Sequence, residues 1–181
     1  MRMALALAIL MLTTTVAVGN STTSAPSATL ARLSGLSGQT FDIAFLQSLV
    51  PADEEAVEMA MTATLYADHP DLLRWNQDFV ERENGQVRQT LSLLQAMGAG
   101  PAERRAGVAT TSVKKLRTLR GSALERAYLP MLAAQLDQTS ALARLASEKS
   151  SRPEVRALAL QALKDGGGAS AVLRGWLKAW Y

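Results

Sequence analysis

Asp53, Glu83 and Gln86 are three side chains whose types and positions could together hold a metal ion. Asp53 and Glu83 fall on or beside the apolar faces of two neighbouring predicted helices, where a carboxylate costs free energy unless it is paired or hydrogen-bonded. With Gln86 as a third oxygen ligand, they could hold a hard divalent cation. The alternative is that both acids pair with arginines from the second half of the chain, or lie at the edge of the apolar face.

Other site chemistry is limited by composition, because the 181 residues include no cysteine and a single histidine, His69. This excludes disulfides, thiol nucleophiles, thiolate zinc sites and any multi-histidine metal site within one chain. His69 follows Asp68 in a predicted turn, where a capping or solvent-facing role is the simpler interpretation. No nucleophile–base pair or redox-metal cage can be assembled, so we expect a protein that is not an enzyme.

Helices must position these residues, since apolar side chains recur at spacings of three and four between Phe45 and Ala63 and between Leu72 and Leu94. Pro51 falls inside the first of these helices and should kink it or leave a carbonyl unpaired. The turn at 67–70 separates the two helices, and Asp68 can cap the second.

The second half of the chain predicts another helical hairpin. One helix runs from about Ala123 to Glu148, and after a turn at 150–153 a second continues to the C-terminus. Gly166, Gly167 and Gly168 interrupt that last helix. Three glycines lower helix propensity by roughly 2–3 kcal/mol, so we expect a break or bend there.

The two halves also match each other at a constant offset of 83 residues without a gap, which indicates a duplicated unit. The alternative is two hairpins that share only periodicity. Two hairpins can bury their apolar faces against each other, so the fold class predicted is all-α, a four-helix bundle built from two repeated helical hairpins. The bundle spans 30–181, with repeat one at 30–97, a linker at 98–112 and repeat two at 113–181.

The N-terminus predicts a signal peptide over residues 1–19, because Arg2 precedes an apolar run from Ala4 to Val18. That run is shorter than the ~20 residues of a spanning helix, although an uncleaved anchor is the alternative. We expect cleavage near Gly19, with a second option after Ala25, and a flexible tether over 20–29. The mature protein would then be periplasmic or secreted.

The stretch from Phe41 to Ala60 resembles the ferritin-like "domain of unknown function 305" family, whose pattern reads F-D-x-x-F-L-x-x-M-I-P-H-H-x-x-A-V-x-M-A. A second family segment, H-P-E-L-R followed by Q-x-x-E-I-x-x-M-x-x-W-L, is similar to His69–Leu72 and to residues 83–94. The second half is similar through 153–159 and the closing Trp176-Leu177. The resemblance implies a ferritin-like bundle and export, and it implies copper binding in some members through the His-His pair and nearby methionines.

The chain departs from that pattern where the metal would be held, so it resembles two tandem degenerate copies that kept the bundle and lost the ligands. In each copy, other residues occupy the His-His, Gln-x-x-Glu and methionine positions. They are Ala52, Asp53, Glu83, Gln86 and Thr90 in the first copy, and Gln135, Leu136, Gly166, Ala169 and Leu173 in the second.

Charge divides unequally between the halves: residues 30–97 carry a net charge of −6 and residues 98–181 a net charge of +8. This favours attraction between the two hairpins, or between chains in a homodimer. The alternative is a basic patch that contacts an anionic envelope lipid or polymer. Export and the low aromatic content argue against nucleic acid as a partner. The patch would consist of Arg104, Arg105, Lys114, Lys115, Arg117 and Arg120.

The function expected from the sequence is that of an exported, non-enzymatic helical domain with no cofactor. Its role would be structural, or interaction with an envelope partner that the sequence does not identify. The alternative is a periplasmic or secreted protein that binds copper or another divalent metal through a reduced carboxylate site. That site would use Asp53, Glu83 and Gln86, with Met59 as a further candidate ligand.

Overall fold

A computed structural model describes residues 28–102 and 109–181, and within these ranges all regular structure is helical. The predicted all-α class is confirmed. The predicted signal peptide and residues 20–27 of the tether lie outside the described residues. The helices are α1 (Ala28–Ser34), α2 (Gly38–Tyr66), α3 (Pro70–Ala96), α4 (Thr111–Arg117), α5 (Gly121–Lys149) and α6 (Pro153–Trp180).

Four long helices form two hairpins, α2 with α3 and α5 with α6, and α2 also packs against α5. The short helices α1 and α4 precede the hairpins. The sequence analysis did not predict them: α1 includes Ala28 and Thr29 of the expected tether, and α4 begins at Thr111 within the expected linker.

The apolar core consists of two clusters, and each contains side chains from both hairpins. Phe41 and Phe45 of α2 share one cluster with Leu158 of α6, while Phe79 of α3 shares the other with Tyr128 of α5. The two hairpins therefore bury their apolar faces against each other, as the amphipathic patterns predict.

The helices of the two halves begin at matching positions, because α1 and α4, α2 and α5, and α3 and α6 each start 83 residues apart. The local causes also match. Gly38 and Gly121 begin α2 and α5 with positive φ angles of 57° and 51°, a conformation that favours glycine. Pro70 and Pro153 begin α3 and α6, where a missing N–H costs nothing.

Of the break or bend expected at Gly166–Gly168, the break does not occur, since α6 continues through all three glycines. The reason is packing: a Cβ on Gly166 would lie 2.7 Å from Ser140 Oγ and 3.5 Å from the Leu136 carbonyl oxygen. Gly166 lets α6 approach α5 closely, and this contact outweighs the low helix propensity. Helix α2 likewise continues through Pro51.

The helices found in the described ranges include none that combines the length and apolar character needed to cross a membrane.

Candidate functional site

The structure brings together the three residues that the sequence singles out. Gln86 Nε2 on α3 donates a hydrogen bond of 2.8 Å to Asp53 Oδ2 on α2. Glu83 precedes Gln86 by one helical turn, and its charge acts on Asp53. Asp53 is 2% exposed and Glu83 is 6% exposed, so two buried carboxyl groups from α2 and α3 influence each other in the first hairpin.

Burial dominates the electrostatics of this pair. It raises the pKa of Asp53 well above its usual value, the charge of Glu83 raises it further, and the hydrogen bond from Gln86 lowers it. Burial also raises the pKa of Glu83 to about 7, although the Arg82 guanidinium lowers it from a distance of 3.9 Å between Nε and Oε1. In the described ranges no arginine of the second half pairs with either acid, and Asp165 of α6 instead raises the pKa of Glu83.

The donor set at this site does not fit copper(I) or silver. Asp53, Glu83 and Gln86 offer only oxygen ligands, whereas imidazole and thioether groups suit the softer ions. Met59 lies fully buried in an apolar cluster with Phe79. Carboxylate and amide oxygens do fit a hard divalent cation. However, no group of three or more histidine, aspartate or glutamate residues is arranged for a metal ion in the described part of the chain.

Three of the four equivalent positions of the second hairpin contain no ligand side chain. Leu136, Gly166 and Ala169 stand there, and all three are buried. Gln135, at the remaining position, donates a hydrogen bond of 2.6 Å from Nε2 to the carbonyl oxygen of Ala52. The second hairpin thus has close packing where the first has two acids.

A cluster around Glu125 was missed by the sequence analysis. Its carboxylate is fully buried and accepts hydrogen bonds from the backbone N–H groups of Asp68 and His69 and from the Tyr181 hydroxyl. It also lies 2.5 Å from His69 Nδ1. The His69 ring stacks on Trp180 with 3.9 Å between ring centroids. The half-buried His69 is the N-cap residue of α3, and Glu125, rather than the Asp68 side chain, satisfies the N-terminus of this helix.

These contacts determine the proton affinities in the cluster. Burial alone would raise the pKa of Glu125, but the hydrogen bonds from Tyr181, His69 and Asp68 outweigh it and hold the pKa below its usual value. Burial and the neighbouring Glu125 raise the pKa of Tyr181 to about 12. The cluster is therefore a stable anionic cap on the turn between α2 and α3.

A sequence signal for this cluster existed in the 83-residue offset, which aligns Asp42 with Glu125. Asp42 is also fully buried, and its Oδ2 accepts a hydrogen bond of 2.9 Å from Ser151 in the turn before α6. Each half therefore supplies an acid, near the start of its first long helix, to the interhelical turn of the other half.

A groove of about 670 Å³ runs between α2 and α5 on another part of the surface. Among the described residues that line it, Arg32 and Glu55 carry charge, and Gln47, Gln135 and Gln138 carry amides. The sequence analysis did not identify this groove.

The predicted basic patch is partly used in contacts between the halves. Arg117 forms an ion pair of 2.9 Å with Glu58, and the guanidinium of Arg120 lies 3.6 Å from the ring centroid of Tyr66. Lys114 and Lys115 are exposed on α4. Arg104 and Arg105 lie outside the described residues.

Comparison with known proteins gives a family match for one half of the chain and a fold match for most of it. Residues 11–97 match the family described as "Domain of unknown function (DUF305)". None of the curated proteins matches the chain.

Three solved structures illustrate the fold match. CopM in its Cu(I)-bound form has a TM-score of 0.69 at 17% identity, covering 77% of this chain and 97% of that one. A DUF305 fragment from Deinococcus radiodurans has a TM-score of 0.69 at 20% identity, covering 76% and 95%. A DUF305 protein from Streptomyces coelicolor, described as secreted, has a TM-score of 0.69 at 19% identity, covering 76% and 91%.

Proposed function

We propose that this protein is an exported, non-enzymatic relative of the DUF305 family with a structural or interaction role in the cell envelope. The observation that carries the proposal is the replacement of ligands at the two sets of equivalent positions. In the first hairpin Asp53 and Gln86 are bonded to each other. In the second, Leu136 and Gly166 are closely packed. Neither arrangement offers the soft donors that copper(I) prefers.

Two further findings support parts of this proposal. Helix starts that differ by 83 residues throughout favour an origin as two tandem copies of one unit. A structural relative from Streptomyces coelicolor that is described as secreted is consistent with export, as is the signal peptide expected over residues 1–19. CopM has been solved with Cu(I) and with silver, so the family fold can serve metals that this donor set does not suit.

Competitive titration with Cu(I) and Ag(I) tests the separation from copper handling. We expect the purified protein to bind neither ion at micromolar concentrations. The double variant Ala52→His/Asp53→His, which installs an adjacent histidine pair, is the matched positive control. Tight Cu(I) binding by the unmodified protein would overturn the proposal. Fractionation of producing cells, with crosslinking in the envelope, would test export and the interaction role.

A second candidate function, binding of a hard divalent cation, is favoured by the proximity of Asp53 and Glu83. Two buried carboxyl groups repel each other when ionised, and a cation would relieve that repulsion. Calorimetric titration with Mn²⁺, Zn²⁺ and Fe²⁺ should detect such a site. Micromolar binding that is lost in both Asp53→Asn and Glu83→Gln, but kept in the exposed control Glu81→Gln, would establish it in place of a metal-free role.

A further inference from the structure

The groove between α2 and α5 is large enough for a small ligand and has no part in the function proposed above. Its volume of about 670 Å³ lies within the ~300–1,000 Å³ common for ligand sites. The described lining mixes amide and hydroxyl side chains with short apolar ones such as Pro51 and Ala134. This composition suits a polar ligand that carries few apolar groups.

The groove is lined by opposite charges at different positions along α2. Arg32 donates a hydrogen bond of 3.1 Å to Ser48 Oγ, which places its guanidinium beside Ser48. Glu55 follows Ser48 by seven residues on the same helical face, about 10 Å along the axis of α2. The ion pairs found among the described residues include neither Arg32 nor Glu55. An occupant lying along α2 would therefore meet a cation near Ser48 and an anion about two helical turns further on.

The groove lining also presents hydrogen-bond acceptors. Gln135 donates from Nε2 to the Ala52 carbonyl oxygen, and this bond orients its amide and leaves Oε1 to accept. Gln47 is held in the same way by a bond of 2.9 Å to the carbonyl oxygen of Gly100. Peptide N–H groups are natural donors to such oxygens. The described lining contains no aromatic ring on which a sugar or a base could stack.

We propose that this groove binds a short peptide with free termini. Its carboxylate would bind Arg32, its ammonium group would bind Glu55, and its N–H groups would donate to Gln135. An extended tripeptide spans about 10 Å, which is comparable to the rise along α2 between Ser48, which Arg32 contacts, and Glu55. A diamine would satisfy only Glu55 and a dicarboxylate only Arg32, so a molecule with one charge of each sign fits best.

Calorimetric titration with trialanine tests this proposal, with N-acetylated, C-amidated and doubly blocked trialanine as probes. Loss of either terminal charge should weaken binding about tenfold or more, as expected for a charge-assisted hydrogen bond. Acetylation should have little effect in Glu55→Gln, and amidation little effect in Arg32→Gln, because each variant has already lost the partner of the altered terminus. The exposed residues Arg88 and Glu81 on α3 provide the charge-matched controls Arg88→Gln and Glu81→Gln.

Three results would overturn the proposal. The first is that trialanine does not bind at concentrations up to about 10 mM, where affinity is too weak for useful recognition. The second is that the doubly blocked peptide binds as tightly as trialanine. The third is that trialanine binds Glu55→Gln and Arg32→Gln with the affinity of the wild type. Circular dichroism would verify that the variants keep their helices. The copper titration is independent of this experiment, so failure here would not count against the proposed function.

Discussion

Replacing Glu83 with glutamine should stabilise the protein at neutral and higher pH. Burial raises the pKa of this carboxyl group from 4.5 to about 7, so the folded protein keeps the proton to a higher pH than the unfolded chain does. Because the folded state then binds more protons, the free energy of unfolding falls as pH rises from about 4.5 to 7. A pKa higher by about 2.5 in the folded state corresponds to about 3 kcal/mol.

The neutral and nearly isosteric glutamine removes this loss. Near pH 5 the free energies of unfolding of the variant and the wild type should differ by less than about 1 kcal/mol, whereas at pH 8 the variant should be more stable by up to about 3 kcal/mol. Urea unfolding at fixed ionic strength measures both values, with EDTA present because a bound cation would stabilise the charged form. Glu81→Gln, exposed on the same helix, should show no such pH dependence.

Two outcomes of this experiment would refute the reasoning. One is a difference between Glu83→Gln and wild type that is the same at pH 5 and pH 8. The other is a variant that is less stable than wild type at pH 8. The first would mean that folding leaves the pKa of Glu83 unchanged, and the second that the folded state favours the ionised carboxylate, for example through Arg82.

Three other perturbations have defined outcomes. Gly166→Ala should lower the free energy of unfolding by about 1–3 kcal/mol because its Cβ would meet Ser140. Gly167→Ala, with open space around it, should raise the free energy of unfolding by up to about 1 kcal/mol. Urea unfolding measures both values, and the same change in the two variants would contradict the packing argument. Glu125→Gln should lower the free energy of unfolding by about 2 kcal/mol at pH 7, because it loses acceptors for Tyr181 and the backbone. An unchanged free energy of unfolding would show that the cluster contributes little to stability. Salt raised from about 0.05 to 1 M should lower the melting temperature by screening the opposite charges of the two halves, and a flat or rising response would argue against that attraction.

Much of the fold could be predicted because it depends on local features of the sequence. Pro70 and Pro153 begin their helices as expected, and the apolar spacing identified the four long helices. The short helices α1 and α4 were missed because seven residues contain too few turns for a periodic pattern. The error at Gly166 has the opposite origin, since a tertiary contact there outweighs local propensity.

The candidate site was only partly predictable. Asp53 and Gln86 meet because both lie near the apolar faces of adjacent antiparallel helices, which periodicity can indicate. Glu125 and His69 are 56 residues apart, and their contact depends on how the two halves dock. From the sequence, the only signal for Glu125 was its alignment with Asp42, another acid near the start of a long helix.

The exchange of acids between the halves has a consequence for the order of folding during synthesis. Helices α2 and α3 leave the ribosome before Glu125, which accepts hydrogen bonds from the turn that joins them. Until the start of α5 has been made, the turn between α2 and α3 therefore lacks these two hydrogen bonds. The usual order of folding, in which the N-terminal unit is complete before the next one is made, would leave the first hairpin of this chain without those bonds. A chain with one such hairpin alone would need a second copy to supply the missing acid.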